Sequence, residues 1–140
     1  MKSNLKIYTS YVSPDNLKSV IEANYLPIFI LRNISNSTLI GKWSGTAVHF
    51  KQLSPSNELY QAMRDNKITT EAYHEKYKKE ISRVNLKELI EKLEFLASVC
   101  NGKGVVLMSY GWNYEKCHRS ALSDVLNNSN LLINKVTEIL

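Results

Sequence analysis

Apolar residues follow two rhythms along this chain, and the switches between them mark out the elements. Residues 5–11, 26–31 and 105–110 are short runs rich in β-branched and aromatic side chains, with the length and composition of buried strands. Between them the spacing becomes helical. Ser13 before Pro14 supplies an N-cap and a proline at the first helical position, and Leu17, Val20 and Ile21 then share one face. Strand, helix and strand make a βαβ unit. Residues 33–44 turn polar, with Gly41 and Gly45 nearby, and read as a long surface loop whose tip carries Lys42 and Trp43. A short edge strand is expected over 47–50.

Ser54-Pro55-Ser56 punctuates the chain before a helix containing Leu59, Tyr60 and Met63. Residues 70–82 form a charged helix in which Tyr73, Tyr77 and Ile81 recur one turn apart, a spacing that fits packing better than ligand contact for the two tyrosines. After a break at Arg83-Val84, Asn85 and Glu88 stand at capping-box spacing, and the stripe Leu86, Leu89, Ile90, Leu93, Leu96 and Ala97 runs to a stop at Asn101-Gly102. Residues 120–126 read as a helix, 127–130 as a turn and 131–139 as a final strand. Strands alternating with helices predict a three-layer α/β fold over residues 1–140, one domain with a mainly parallel sheet and helices on both faces.

Composition agrees with a globular chain: 140 residues, 44% hydrophobic and 22% charged. No apolar run approaches the roughly 18 residues that a membrane span needs, and Lys2, Asn4 and Lys6 interrupt the N-terminus, so no membrane partner and a cytoplasmic location are expected. The net charge of +5 favours anionic ligands. Lys76, Lys78, Lys79, Lys87, Lys92 and Lys103 are spread out and mixed with Glu, a pattern that fits a solvated surface better than a nucleic-acid patch. The cysteines, Cys100 and Cys117, are expected to be reduced thiols. No zinc-type spacing links them or His49, His74 and His118, so neither a metal nor a cofactor is expected.

The chemistry concentrates at Cys117-His118-Arg119, where a buried strand hands over to a helix. Helix-start N–H groups lack intrahelical partners and carry the positive end of the dipole, so a thiol, an imidazole and a guanidinium there point to an anion site. Such surroundings lower a thiol pKa, which makes Cys117 a candidate nucleophile; the alternative is a small packing residue. His118 is an acid/base candidate or a capping donor. Arg119 and Arg32 could each offer a bidentate fork to a phosphate; Arg119 could instead pair with Asp124 or Glu115. Trp43, Tyr110, Trp112 and Tyr114 could stack on a ring or anchor loops, and the last three stand two apart, as if on one side of an extended segment. The loop has the wrong spacing for tyrosine-phosphatase chemistry, since the position six beyond Cys117 is Ser123 rather than Arg.

Residues 53–59, the segment 73–80 with its paired tyrosines, and residues 106–126 with Cys117-His118-Arg119 resemble, in order and spacing, the bacterial domain of unknown function family four hundred and eighty-eight. The resemblance covers most of the chain from Leu5 onward. It implies a three-layer α/β fold with a pocket at the strand ends and no settled activity. The family often carries Asp-x-Arg at the end of its second strand; here Arg32 is present, but Ile30 stands where the acid would be. The Gly-His that follows the family's first strand is replaced by Tyr8-Thr9-Ser10-Tyr11.

The function expected from these residues is a binding domain for a phosphorylated small molecule, a nucleotide or nucleotide derivative, held at the Cys-His-Arg loop. Two alternatives stand beside it. One is an enzyme that cleaves such a ligand with Cys117 as nucleophile or His118 as acid/base, a thiolate-dependent hydrolase or transferase. The other is a nucleic-acid-binding module.

Overall fold

Every strand pairing among the described residues runs parallel. The computed structural model describes residues 2–31, 48–111 and 113–139. Its strands are β1 (Ile7–Tyr11), β2 (Leu26–Phe29), β3 (Val48–His49), β4 (Val105–Ser109) and β5 (Thr137–Glu138), joined in the order β3-β2-β4-β1-β5. The helices are α1 (Pro14–Glu22), α2 (Asn57–Arg64), α3 (Thr70–Ile81), α4 (Leu86–Val99) and α5 (His118–Asn127). The central strand β4 is buried at all five positions, as its unbroken apolar run requires.

The pleat sorts the sheet side chains onto two cores. Phe29, Val106 and Met108 face Leu17 and Val20 of α1. Ile7, Ile28, Val105 and Leu107 face the other way, into a larger cluster with Tyr77, Leu89, Leu93, Leu122 and other residues of α2 to α5. The sheet is thus covered on both faces, and α1 and α5 leave the carboxyl ends of β1 and β4 toward opposite sides. In a parallel sheet that arrangement opens a crevice beyond the strand ends.

The predicted caps form. Ser13 accepts from the Asn16 N–H, Ser56 from Leu59, and Asn85 from Glu88. Asn101 takes the left-handed conformation, φ 53°, just past the end of α4. Close approach explains Gly104: a Cβ there would collide with the Lys6 carbonyl, which already accepts from Val105 N–H at 3.0 Å.

Two expectations need correction. The final strand is not continuous over 131–139: only Thr137–Glu138 pairs with β1, and Leu132 makes an isolated bridge to Ser3. The Asn127 side chain, rather than a neighbouring strand, serves the backbone of Val136, accepting from its N–H at 2.7 Å and donating to its carbonyl at 3.1 Å. The last helix starts at His118, with Cys117 as N-cap, not at Ser120. The short edge strand is present, and His49 adds to it by donating from Nε2 to the Leu31 carbonyl at 2.6 Å. The loop expected over 33–44 lies outside the described residues.

Candidate functional site

Cys117, His118 and Arg119 meet at the carboxyl end of β4, and all three are buried. The sulfur does not cap its helix. It faces Ser109 Oγ at 2.9 Å and His118 Nδ1 at 3.7 Å. On its far side the imidazole donates from Nε2 to the Ile30 carbonyl at 2.7 Å. A carbonyl can only accept, so Nε2 must carry hydrogen. This bond leaves Nδ1 free either to accept from the thiol or, in the ion-pair form, to donate to the thiolate. The Tyr77 ring packs edge-on against the imidazole, with centroids 5.2 Å apart, and its hydroxyl is anchored on the Leu53 carbonyl at 2.6 Å. The histidine is therefore held from two directions, by the residue that follows β2 and by α3.

The Arg119 guanidinium is fully buried and already occupied. Nε lies 3.0 Å from Glu138 Oε1, and Nη2 donates to Oε2 at 2.8 Å. Nη1 donates to Ser109 Oγ at 3.2 Å and to the Gly111 carbonyl. Glu138 in turn accepts from Thr9 Oγ1 at 2.6 Å. The partner of Arg119 is thus Glu138 of β5, and neither Asp124 nor Glu115 takes that place; Asp124 lies 3.7 Å from Lys78 instead. With Arg119 donating to Ser109 Oγ, the serine hydroxyl hydrogen is available to the sulfur. The guanidinium also lies over the Tyr114 ring, 5.7 Å from its centroid.

Burial works against ionisation of Cys117, but the His118 hydrogen bond and the charges of His118 and Arg119 outweigh it, and the thiol titrates at about 6. A thiol lowered in this way favours the thiolate at neutral pH. Cys100, at the exposed end of α4, is free as well.

Beside the sulfur opens a cleft of about 360 Å³. Cys117, His118, Gly111, Tyr60, Tyr73 and Tyr110 line it, and Arg64 and Lys116 bring positive charge. Tyr110 lines this cleft, whereas Tyr114 lies against Arg119. Arg32, Trp43 and Trp112 lie outside the described residues.

Several residues of the site escaped sequence reading. Ser109 had a signal, a hydroxyl at the carboxyl end of an otherwise apolar strand. Tyr73 sits on a helix whose spacing said packing, and Tyr60 and Arg64 on a helix that carried no site signal. The Ile30 carbonyl is backbone and has no sequence signature at all. Glu138 lies in a two-residue strand far from the triplet in sequence.

A family profile described as the active DUF488-N3 subclade, DUF488-N3a, matches residues 29–130. No curated protein and no solved structure matches the chain. Among the described residues no helix is long and apolar enough to cross a membrane.

Proposed function

The chain belongs to the DUF488 family, within its active N3 subclade, and from that membership and the geometry at Cys117 we propose that it is a thiolate-dependent hydrolase or transferase acting on a phosphorylated small molecule. The observation that carries this reading is the double engagement of His118, bound to the Ile30 carbonyl on one nitrogen and facing the Cys117 sulfur with the other. A nucleophile, a base and a group that orients the base is the arrangement that covalent catalysis uses. A cysteine that served only packing would need neither the oriented imidazole nor the Ser109 hydroxyl.

The ligand is a nucleotide or nucleotide derivative. Tyr60 and Tyr110 offer flat faces for a ring, and Arg64 and Lys116 offer charge for its phosphate. Arg119 acts behind the sulfur, where it holds Ser109 and the Gly111 carbonyl, so its contribution to ligand affinity is indirect. His118 takes the thiol proton and returns it to the leaving group.

A second reading, a binding domain for the same ligand, is favoured by the low exposure of Cys117, 8%. Passing a metabolite extract over wild type and Cys117→Ser, then analysing by mass what each retains and what each converts, separates the two. The enzyme reading requires that both proteins retain a phosphate-bearing compound and that only wild type consumes it. Retention without consumption by either protein would establish the binding domain, and steep loss of binding to oligonucleotides with salt would point to nucleic acid.

A further inference from the structure

We propose that Tyr73 is a catalytic residue of this site: its hydroxyl donates to the carbonyl oxygen of an acyl-type substrate group while the Cys117 thiolate attacks the carbon. The proposal rests on the reading of Cys117 as nucleophile and adds the class of group attacked.

Tyr73 is 4% exposed, yet it lines the cleft together with Cys117 and His118. One turn along α3, Tyr77 shows what a buried phenol on this helix ordinarily does, since its hydroxyl is satisfied by the Leu53 carbonyl. Among the described residues the Tyr73 hydroxyl has no hydrogen bond, and it is not sealed from solvent; the open space that Tyr73 lines is the cleft. Its ring is fixed in place, 5.8 Å from the His74 ring, on the same helix that packs Tyr77 against the imidazole. Donor and base therefore stand on two helices that pack against each other, α3 and α5. Burial, with the negative charge of Cys117 behind it, pushes the phenol well above its ordinary range, so it keeps its O–H through the neutral range in which the thiol ionises.

The choice of a carbonyl follows from the cations. A phosphoryl group under attack spreads charge over three oxygens and calls for a free guanidinium fork. The Arg119 fork beside this sulfur is closed by Glu138, and Ser123 stands where a phosphatase loop would carry arginine. An acyl group charges one oxygen, which one phenol can meet. In the step proposed, the sulfur lone pair forms the C–S bond and the C=O π pair moves to oxygen, where Tyr73 donates to it. Collapse expels the leaving group, which takes the proton held on His118, and water then hydrolyses the thioester.

The probe is p-nitrophenyl acetate, whose acyl transfer to the protein releases p-nitrophenolate; iodoacetamide, which reacts at a saturated carbon and develops no oxyanion, is the internal control. Wild type should give a burst that Cys117→Ser abolishes. In Tyr73→Phe the burst rate should fall about 10- to 100-fold, while alkylation of Cys117 by iodoacetamide keeps its wild-type rate, which also reports an intact fold. Equal burst rates in wild type and Tyr73→Phe, or an equal fall in both reactions, would overturn the role of Tyr73 with the nucleophile left standing. A wild-type protein without a Cys117-dependent burst would remove the nucleophile and the proposal together.

Discussion

Arg119 and Glu138 form a buried bidentate pair, 2.8 Å at its shortest, that ties the first turn of α5 to the last strand of the sheet. The arginine side chain has no exposed surface and the glutamate 21%. Removing one partner strands the other in low dielectric. Glu138→Ala should therefore cost about 2–4 kcal/mol of stability in urea unfolding, at or below the usual range for a buried pair because Glu138 still reaches solvent. Glu138→Gln, which keeps the shape and one acceptor, should cost less. A loss below about 0.5 kcal/mol for the alanine variant would show that water replaces the carboxylate.

The Cys117 thiol, lowered from about 9 to about 6, makes both reactivity and stability depend on pH. In a Cys100→Ser background the iodoacetamide rate should rise with a midpoint near pH 6. His118→Ala should move that midpoint up, since burial then acts with less opposition. The folded protein holds the thiolate more readily than the unfolded chain does. Stability relative to Cys117→Ser should therefore increase from pH 6 to pH 9, be complete above pH 9, and be lost as pH falls through 6. A flat difference between the two proteins over that range would show that the thiol is not perturbed.

How far the sequence could be read depended on whether a feature was local. The caps at Ser13, Ser56 and Asn85 and the stripe of α4 are set by residues a few positions apart, and they stand where the pattern put them. The parallel sheet followed from alternation. The 131–139 run failed because apolar content cannot tell a strand from a segment held by a distant side chain, here Asn127. At the site, the Cys117-His118-Arg119 triplet was visible, but the partners that give it meaning were not. Glu138 reaches Arg119 only because β5 lies beside β1, and the Ile30 carbonyl reaches His118 only because β2 lies beside β4. Both contacts depend on strand order, which hydrophobic periodicity does not encode.

Gly111 borders the cleft and sits tight against the thiol. A Cβ there would lie 3.1 Å from the Cys117 sulfur and 3.2 Å from its Cβ, closer than side chains ordinarily pack. Gly111→Ala should push Cys117 away from Ser109 and slow its alkylation at pH 7 about five- to tenfold, with a stability loss of about 1 kcal/mol from the overpacking. Unchanged alkylation would mean that the loop yields without moving the sulfur.

The charge of the cleft can be read at the sulfur itself, without knowing the ligand. Iodoacetate and iodoacetamide alkylate by the same chemistry and differ by one negative charge, so the ratio of their rates at Cys117 reports the local potential. Lys116 lines the cleft and makes no ion pair among the described residues, whereas Arg64 lies 3.6 Å from Asp65 and donates to Gln61. Lys116→Ala should therefore lower the iodoacetate-to-iodoacetamide ratio about three- to fivefold, an effect of about 1 kcal/mol typical of one charge acting across a solvated cleft. Arg64→Ala, already half neutralised by Asp65, should lower it less. Raising the salt from 0.05 to 0.5 M should compress the wild-type ratio toward that of Lys116→Ala, because exposed charges are screened. A ratio that neither substitution nor salt changes would mean that these cations do not act on an anion at the sulfur, and the phosphate-binding part of the proposed function would have to be given up.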